Sequence, residues 1–254
     1  MSLELLIPIY IFVFLYGIVI GSFLNVCMIR IPKKESIVTE GSHCVKCGYR
    51  LKWYDLIPLF SYLVLKGKCR NCGEIISPQY PVVEFINGAV YVLIFVLKGV
   101  SLESLLLSLL FSCLLTLSVI DFKTFEIPVG FNIFIAVLGV IRVLTDLENL
   151  LNYVTGALCV SLFLLVLFLV SKGRAIGGGD IKLMAAAGLF LGWKETILSF
   201  MLGCIFGACI HLIRMKVSKE GRVLAMGPYL SLGIFISALL GKEIINWYLG
   251  LLTF

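Results

Sequence analysis

Charge is what this chain has least of. Only 14% of its 254 residues are Asp, Glu, Lys or Arg, where soluble domains carry about 25%. That shortage argues against a water-soluble fold. Histidine is almost missing too, with only His43 and His211. There is no His-Glu-x-x-His pair, and no serine sits in a Gly-x-Ser-x-Gly setting, so zinc-dependent and serine proteolysis have almost nothing to build on. A glycine-rich nucleotide fingerprint following a strand is also missing. No internal repeat is visible, which removes the usual signature of a transporter.

Apolar residues fill the space that charge leaves, at 60% of the chain. Leu3 to Val26, Leu102 to Ile120, Phe131 to Leu144 and Leu150 to Val170 are nearly uncharged runs, and a helix needs roughly 17–25 such residues to span a bilayer. The first run lacks the basic start and small-residue cleavage site of a signal peptide and continues to Ile29, so it is expected to be a retained helix. The runs predict eight helices at about 5–29, 80–97, 103–120, 127–144, 150–171, 181–193, 196–213 and 224–240. The sixth is short and rich in Ala185, Ala186, Ala187 and Gly188, which suits packing inside a bundle. The closing piece, Ile244 to Phe254, is too short to span.

Eight crossings put successive connections on alternate sides. One side then holds 17 of the 21 basic residues, including nine between Arg30 and Arg70 and the group Arg214, Lys216, Lys219 and Arg222. The other side holds Lys98, Arg142, Lys194 and Lys242. The richer side is expected to be cytoplasmic, with the N-terminus outside. The net charge of +6 then reflects topology and contact with anionic lipid rather than a nucleic-acid surface.

The long polar connection, 30–79, carries Cys44-Val45-Lys46-Cys47 and Cys69-Arg70-Asn71-Cys72. Two such pairs, 21 residues apart, fit tetrahedral zinc, and Gly48 and Gly73 follow them where the backbone must turn around a metal. Four protein ligands would leave no open position, so the zinc is expected to be structural. A redox pair or incidental thiols are the alternatives, with His43 as a substitute ligand. The remaining cysteines, Cys27, Cys113, Cys159, Cys204 and Cys209, lie in apolar runs and are expected to be small core residues.

Ionisable residues near a membrane are costly and therefore informative. Asp121 closes the third apolar run within Ile120-Asp121-Phe122-Lys123-Thr124-Phe125-Glu126-Ile127-Pro128, and Asp180 ends Gly177-Gly178-Gly179-Asp180. The alternating connections put both on one side at similar depth. Facing carboxylates can share a proton, one acting as general base on water and the other as acid on a carbonyl. Gly177, Gly178 and Gly179 would let an extended peptide approach the backbone and pair with it. Taken singly, Asp180 could be a helix N-cap and Asp121 a solvated turn residue.

These residues, in this order, resemble the bacterial prepilin peptidases. The shared features are Gly21-Ser22-Phe23-Leu24-Asn25-Val26 with Arg30-Ile31-Pro32, the two cysteine pairs, and Tyr80-Pro81-Val82-Val83-Glu84 with Gly88. They continue with Asp121, Ile127-Pro128, Gly177 to Leu183, Gly188, Leu191-Gly192 and Gly227-Pro228. The resemblance implies an all-α polytopic membrane bundle with a small cytoplasmic zinc module, divided as 1–29, 30–79 and 80–254. It also implies an inner-membrane aspartyl endopeptidase that removes the basic leader of type IV prepilins or pseudopilins, after a glycine and before the hydrophobic segment. Asp121 and Asp180 would be the catalytic pair, with Gly177, Gly178, Gly179 and Lys182 toward substrate. Methylation of the new N-terminus from S-adenosylmethionine is implied as well, with Asn25 and Glu84 as accessory residues for it; for Glu84 a plain interhelical hydrogen bond is the alternative. Val129 departs from the family, many members of which have Asp there. A presenilin-type protease would have Tyr where Ile120 stands, and a non-catalytic assembly subunit gives no reason for the aspartate pair.

Overall fold

The computed structural model describes residues 3–174, 176–218 and 224–252. Lys219 and Arg222, two of the basic residues counted above, lie outside them. Nine α-helices occur among the described residues. They are α1 Leu3–Lys33, α2 Phe60–Val64, α3 Gln79–Lys98, α4 Leu102–Thr124, α5 Val129–Thr145, α6 Leu150–Val170, α7 Gly178–Leu191, α8 Trp193–Ser218 and α9 Gly227–Leu252. Helices α1, α3, α4, α6, α8 and α9 are long and apolar enough to cross a membrane, while α5 has 17 residues and α7 has 14. The chain is an all-helical membrane protein.

Two expectations about helix ends change. Helix α9 runs unbroken to Leu252, so the segment from Ile244 continues a spanning helix; Gly241 does not interrupt it. Helix α7 starts at Gly178 rather than after Asp180. Its small residues do pack inward, with Leu183, Met184, Ala187, Gly188 and Phe190 all buried. Among the cysteines, Cys27 and Cys113 are buried and Cys159 and Cys204 half-buried, but Cys209 is exposed. The core assignment fails at Cys209 because a spanning helix keeps an apolar outer face as well as an inner one.

The chain divides into two compact units, Met1–Ser108 and Leu109–Phe254. In the first, α1 and α3 run antiparallel in close contact. A Cβ on Gly17 would stand 2.7 Å from Gly88 Cα, and one on Gly21 would stand 2.8 Å from Glu84 Cα. Such small-residue seams replace the hydrophobic drive that lipid removes. The buried Asn87 seals the seam by donating to the Gly17 carbonyl at 2.8 Å.

In the second unit α7 is the central element, packed against α5, α6, α8 and α9. Gly156 of α6 and Gly188 of α7 are interlocked, since a Cβ on Gly188 would fall 2.2 Å from the Gly156 carbonyl oxygen. This contact locks the C-terminal part of α7, the helix whose first turn carries Asp180.

Candidate active site and cysteine cluster

Asp121 lies in the last turn of α4 and is only 5% exposed, not a solvated turn residue. Its Oδ2 accepts the Gly227 backbone N–H at 2.9 Å. Gly227 opens α9, where the first N–H groups have no partner within the helix, so the carboxylate satisfies one of them. Beyond Asp121 the chain ends α4 at Phe125, which adopts φ +57° and donates its N–H to the Asp121 carbonyl at 2.8 Å. Pro128 then prevents the turn from continuing as helix, and residues 125–127 pass along the rim of a cleft.

The start of α7 forms the other wall. Gly177 is the N-cap, with extended backbone, and Asp180 stands three residues into the helix. The Asp180 carboxylate accepts the Gly177 N–H, which is half of a capping box. Gly178 and Gly179 are helical rather than unwound, and none of the three glycines has positive φ. Their smallness matters for room, not for backbone strain. A Cβ on Gly179 would stand 3.0 Å from Ile127 Cβ, whereas one on Gly178 would meet nothing within 4 Å.

Asp121, Phe125, Glu126, Ile127, Gly177, Gly178, Gly179 and Asp180 line one cleft of about 280 Å³. The two aspartates are close enough to repel each other electrostatically. Residue pattern alone picked out both aspartates and the glycines. It missed Phe125 and Glu126, which reach the cleft only because α4 turns sharply at its end. Lys182 is exposed on α7 and does not line the cleft. The Gly227-Pro228 dipeptide was visible in the sequence, but its bond to Asp121 depends on where α9 begins.

Asn25 and Glu84 fall in the first unit. Asn25 donates to the Tyr80 carbonyl at 3.1 Å and accepts from Gln79 Nε2 at 3.4 Å. Glu84 Oε2 accepts the Leu59 N–H at 2.8 Å, with Ser22 as a second partner. Both are buried.

The four cysteines converge. Their Sγ atoms all lie within 4.8 Å of one another, and Cys44 and Cys72 are 3.8 Å apart. Tetrahedral Zn–S bonds of about 2.3 Å place sulfurs about 3.8 Å apart, so one metal ion fits. The two knuckles are built alike. Cys44 N–H bonds the Tyr49 carbonyl and Cys69 N–H the Glu74 carbonyl, while Gly48 and Gly73 sit at φ +69° and +73°. Only glycine takes that conformation without strain. The Tyr49 backbone N–H and the Asn71 amide stabilise the Cys47 thiolate and bring its pKa down to about 6. At Cys72 a backbone bond near Glu74 pulls the same way. Desolvation and the neighbouring sulfurs of Cys47, Cys69 and Cys44 outweigh it, pushing the thiol up to about 12. Four sulfurs this close cannot all be anionic without a cation among them.

Buried polar groups order the rest of this loop. Arg30 donates to the carbonyls of Ser36, Glu40 and Gly41. Asp55 pairs with Arg70 Nε at 2.8 Å and accepts the Lys52 N–H at 3.2 Å.

Residues 15–97 match the bacterial peptidase A24 N-terminal domain, and residues 108–212 match the type IV leader peptidase family. A prepilin leader peptidase/N-methyltransferase of Bacillus subtilis (strain 168) is 32% identical over 241 residues, covering 93% of this chain and 96% of its own. The chain belongs to the type IV leader peptidase family. Other relatives with the same name include one from Aeromonas salmonicida (strain A449), 30% identical over 94% of this chain and 93% of its own. Another, from Legionella pneumophila, is 30% identical over 95% and 94%. No solved structure matches the chain. In this leader peptidase the two family matches divide near the boundary between its compact units.

Proposed function

We propose that this leader peptidase is an aspartyl endopeptidase of the bacterial inner membrane that removes basic leaders from type IV prepilins or pseudopilins. The observation that carries the reading is the placement of Asp121 and Asp180 in one cleft beside Gly177, Gly178 and Gly179. One carboxylate, ionised, takes a proton from water as the water oxygen bonds to the scissile carbonyl carbon. The other, protonated, gives its proton to the carbonyl oxygen. The tetrahedral intermediate then collapses: the carboxyl that took the water proton gives it to the amide nitrogen, and the C–N bond breaks. One hydroxyl returns its proton to the other carboxylate, leaving a carboxylic acid and a new N-terminal amine. The open side of Gly178 gives an extended substrate room to approach. Cleavage falls after a glycine and before the hydrophobic segment. The cleft and the cysteine loop face the cytoplasm and the N-terminus lies outside, in keeping with the distribution of basic residues.

The metal we propose is zinc, held by Cys44, Cys47, Cys69 and Cys72 with no open coordination position, so it cross-links the loop and takes no part in the reaction. The relatives' names support methylation of the new amine. S-adenosylmethionine, when bound, would supply an electrophilic methyl group to it. Asn25 and Glu84, the accessory residues for that half of the reading, bond to Tyr80, Gln79 and Leu59 within the first unit. They hold α1, α3 and the turn at Leu59 together.

Purified protein in detergent should cleave a prepilin just before its hydrophobic segment, and Asp121→Asn and Asp180→Asn should each abolish cleavage. Cleavage surviving in either folded variant would sink the two-aspartate mechanism. Labelled methyl should reach the cleaved product only when the enzyme is present, and its absence would remove the transferase half.

A further inference from the structure

Between the two cysteine pairs the chain carries an apolar surface that zinc binding does not explain. A turn of 3₁₀ helix, Trp53–Leu56, leads through Ile57 into α2. Phe60, Leu63 and Val64 of α2 are 60%, 70% and 74% exposed, and Trp53, Leu56 and Ile57 are exposed beside them. A solvated loop gains nothing from six large apolar side chains in contact with water. Their position in the fold suggests what covers them. Leu59, the residue that opens α2, is tied through its N–H to Glu84 Oε2 at 2.8 Å. Glu84 is the sixth residue of the spanning helix α3, about 7.5 Å along its axis from the first. Leu59 has φ +62° at this anchor, so the bond holds the chain in a turn that the residue would not choose alone. Lys52, Lys66 and Lys68 flank the apolar residues and are exposed. Apolar and aromatic side chains at that depth, rimmed by lysines, have the make-up of a segment lying in the headgroup–acyl boundary.

We propose that residues 53–64 form a membrane-interface hairpin, with Phe60, Leu63 and Val64 inserted among lipid acyl chains and the flanking lysines at anionic headgroups. The hairpin then fixes the height of the cysteine cluster above the bilayer, since both pairs flank it in sequence. This inference stands apart from the reading of the aspartates.

The test uses the full chain in vesicles of phosphatidylcholine and phosphatidylglycerol. Trp53, Trp193 and Trp247 are replaced by Phe, and Phe60→Trp supplies the one fluorophore. Val45, 93% exposed within a knuckle, supplies a water-facing control as Val45→Trp in the same background. Lipid brominated high on the acyl chain should quench the probe at 60 at least about twofold more than the probe at 45, while iodide in the buffer should quench mainly the probe at 45. Leu63→Trp repeats the measurement should the first variant fold poorly. Quenching at 60 and 63 by iodide but not by brominated lipid would overturn the proposal and leave a solvated loop. Protection from both quenchers would also overturn it, in favour of a protein surface covering the patch.

Discussion

Gly227 has no side chain, yet it sets where the Asp121 carboxylate sits. A Cβ there would stand 2.6 Å from Asp121 Oδ2 and 3.0 Å from its Cγ, so Gly227→Ala must push the carboxylate or the start of α9 aside. Displacement of a catalytic group by about 1 Å can cost about a hundredfold in rate. Gly227→Ala should therefore lose most cleavage while its helical circular dichroism stays close to wild type; full activity would show that the Asp121–Gly227 bond is dispensable. Gly178→Ala separates room for substrate from room for packing. Nothing in the protein obstructs its Cβ, so thermal stability should hold while KM for prepilin rises. An unchanged KM would mean that substrate passes elsewhere. In the cysteine cluster the pKa of Cys47 is lowered to about 6 and that of the buried Cys69 is lowered too, while that of Cys72 is raised to about 12. In metal-free protein at about pH 8, Cys47 is then thiolate and Cys72 thiol, and iodoacetamide should label Cys47 first by mass spectrometry. Lowering the pH through about 6 protonates Cys47 and should erase the preference.

Several elements meet at glycines where their backbones approach closely. Two contacts are equally tight, α6 with α7 at Gly156 and Gly188, and α8 with α9 at Ser199 and Gly233. Overfilling such a contact costs about 1–3 kcal/mol. Gly188→Ala should lower the melting temperature in detergent and also reduce cleavage, because α7 carries Asp180. A melting temperature equal to wild type would show that the helices can separate without cost. In the cysteine loop the matching element-level expectation is one zinc per chain. Metal affinity should fall on acidification because the thiolates must compete with protons. Less than about half an equivalent of zinc in purified protein with intact thiols would count against the site.

For the whole molecule, the shorter helices must be accommodated in the bilayer. At 1.5 Å per residue α5 is about 25 Å long and α7 about 21 Å, both under the roughly 30 Å hydrocarbon thickness. The expected topology requires both to cross, shielded by the longer helices around them. A reporter active only outside the cytoplasm should then work when fused after Gly99 or Asp146 and fail after Lys123 or Gly173. Equal behaviour at Asp146 and Gly173 is possible only if α6 does not separate them, and equal behaviour at Lys123 and Asp146 would mean that α5 does not cross.

Apolar periodicity, charge asymmetry and cysteine spacing belong to the linear chain, because the bilayer and a metal ion act on residue type and spacing directly. From them alone came the helical membrane fold, the long apolar helices, the four cysteines that later converged, and the two aspartates with their glycines. The tertiary structure alone decided what stands around those groups. The Gly227 N–H on Asp121, the turn at Phe125 that carries Glu126 to the cleft, and the bond from Leu59 to Glu84 join residues far apart in the chain or depend on where a helix ends. Helix ends are set by which backbone groups find partners after packing. For the same reason α7 begins ahead of Asp180 and α9 continues past Gly241. Residue spacing records which groups a helix can present, and only the packed bundle determines which of them meet.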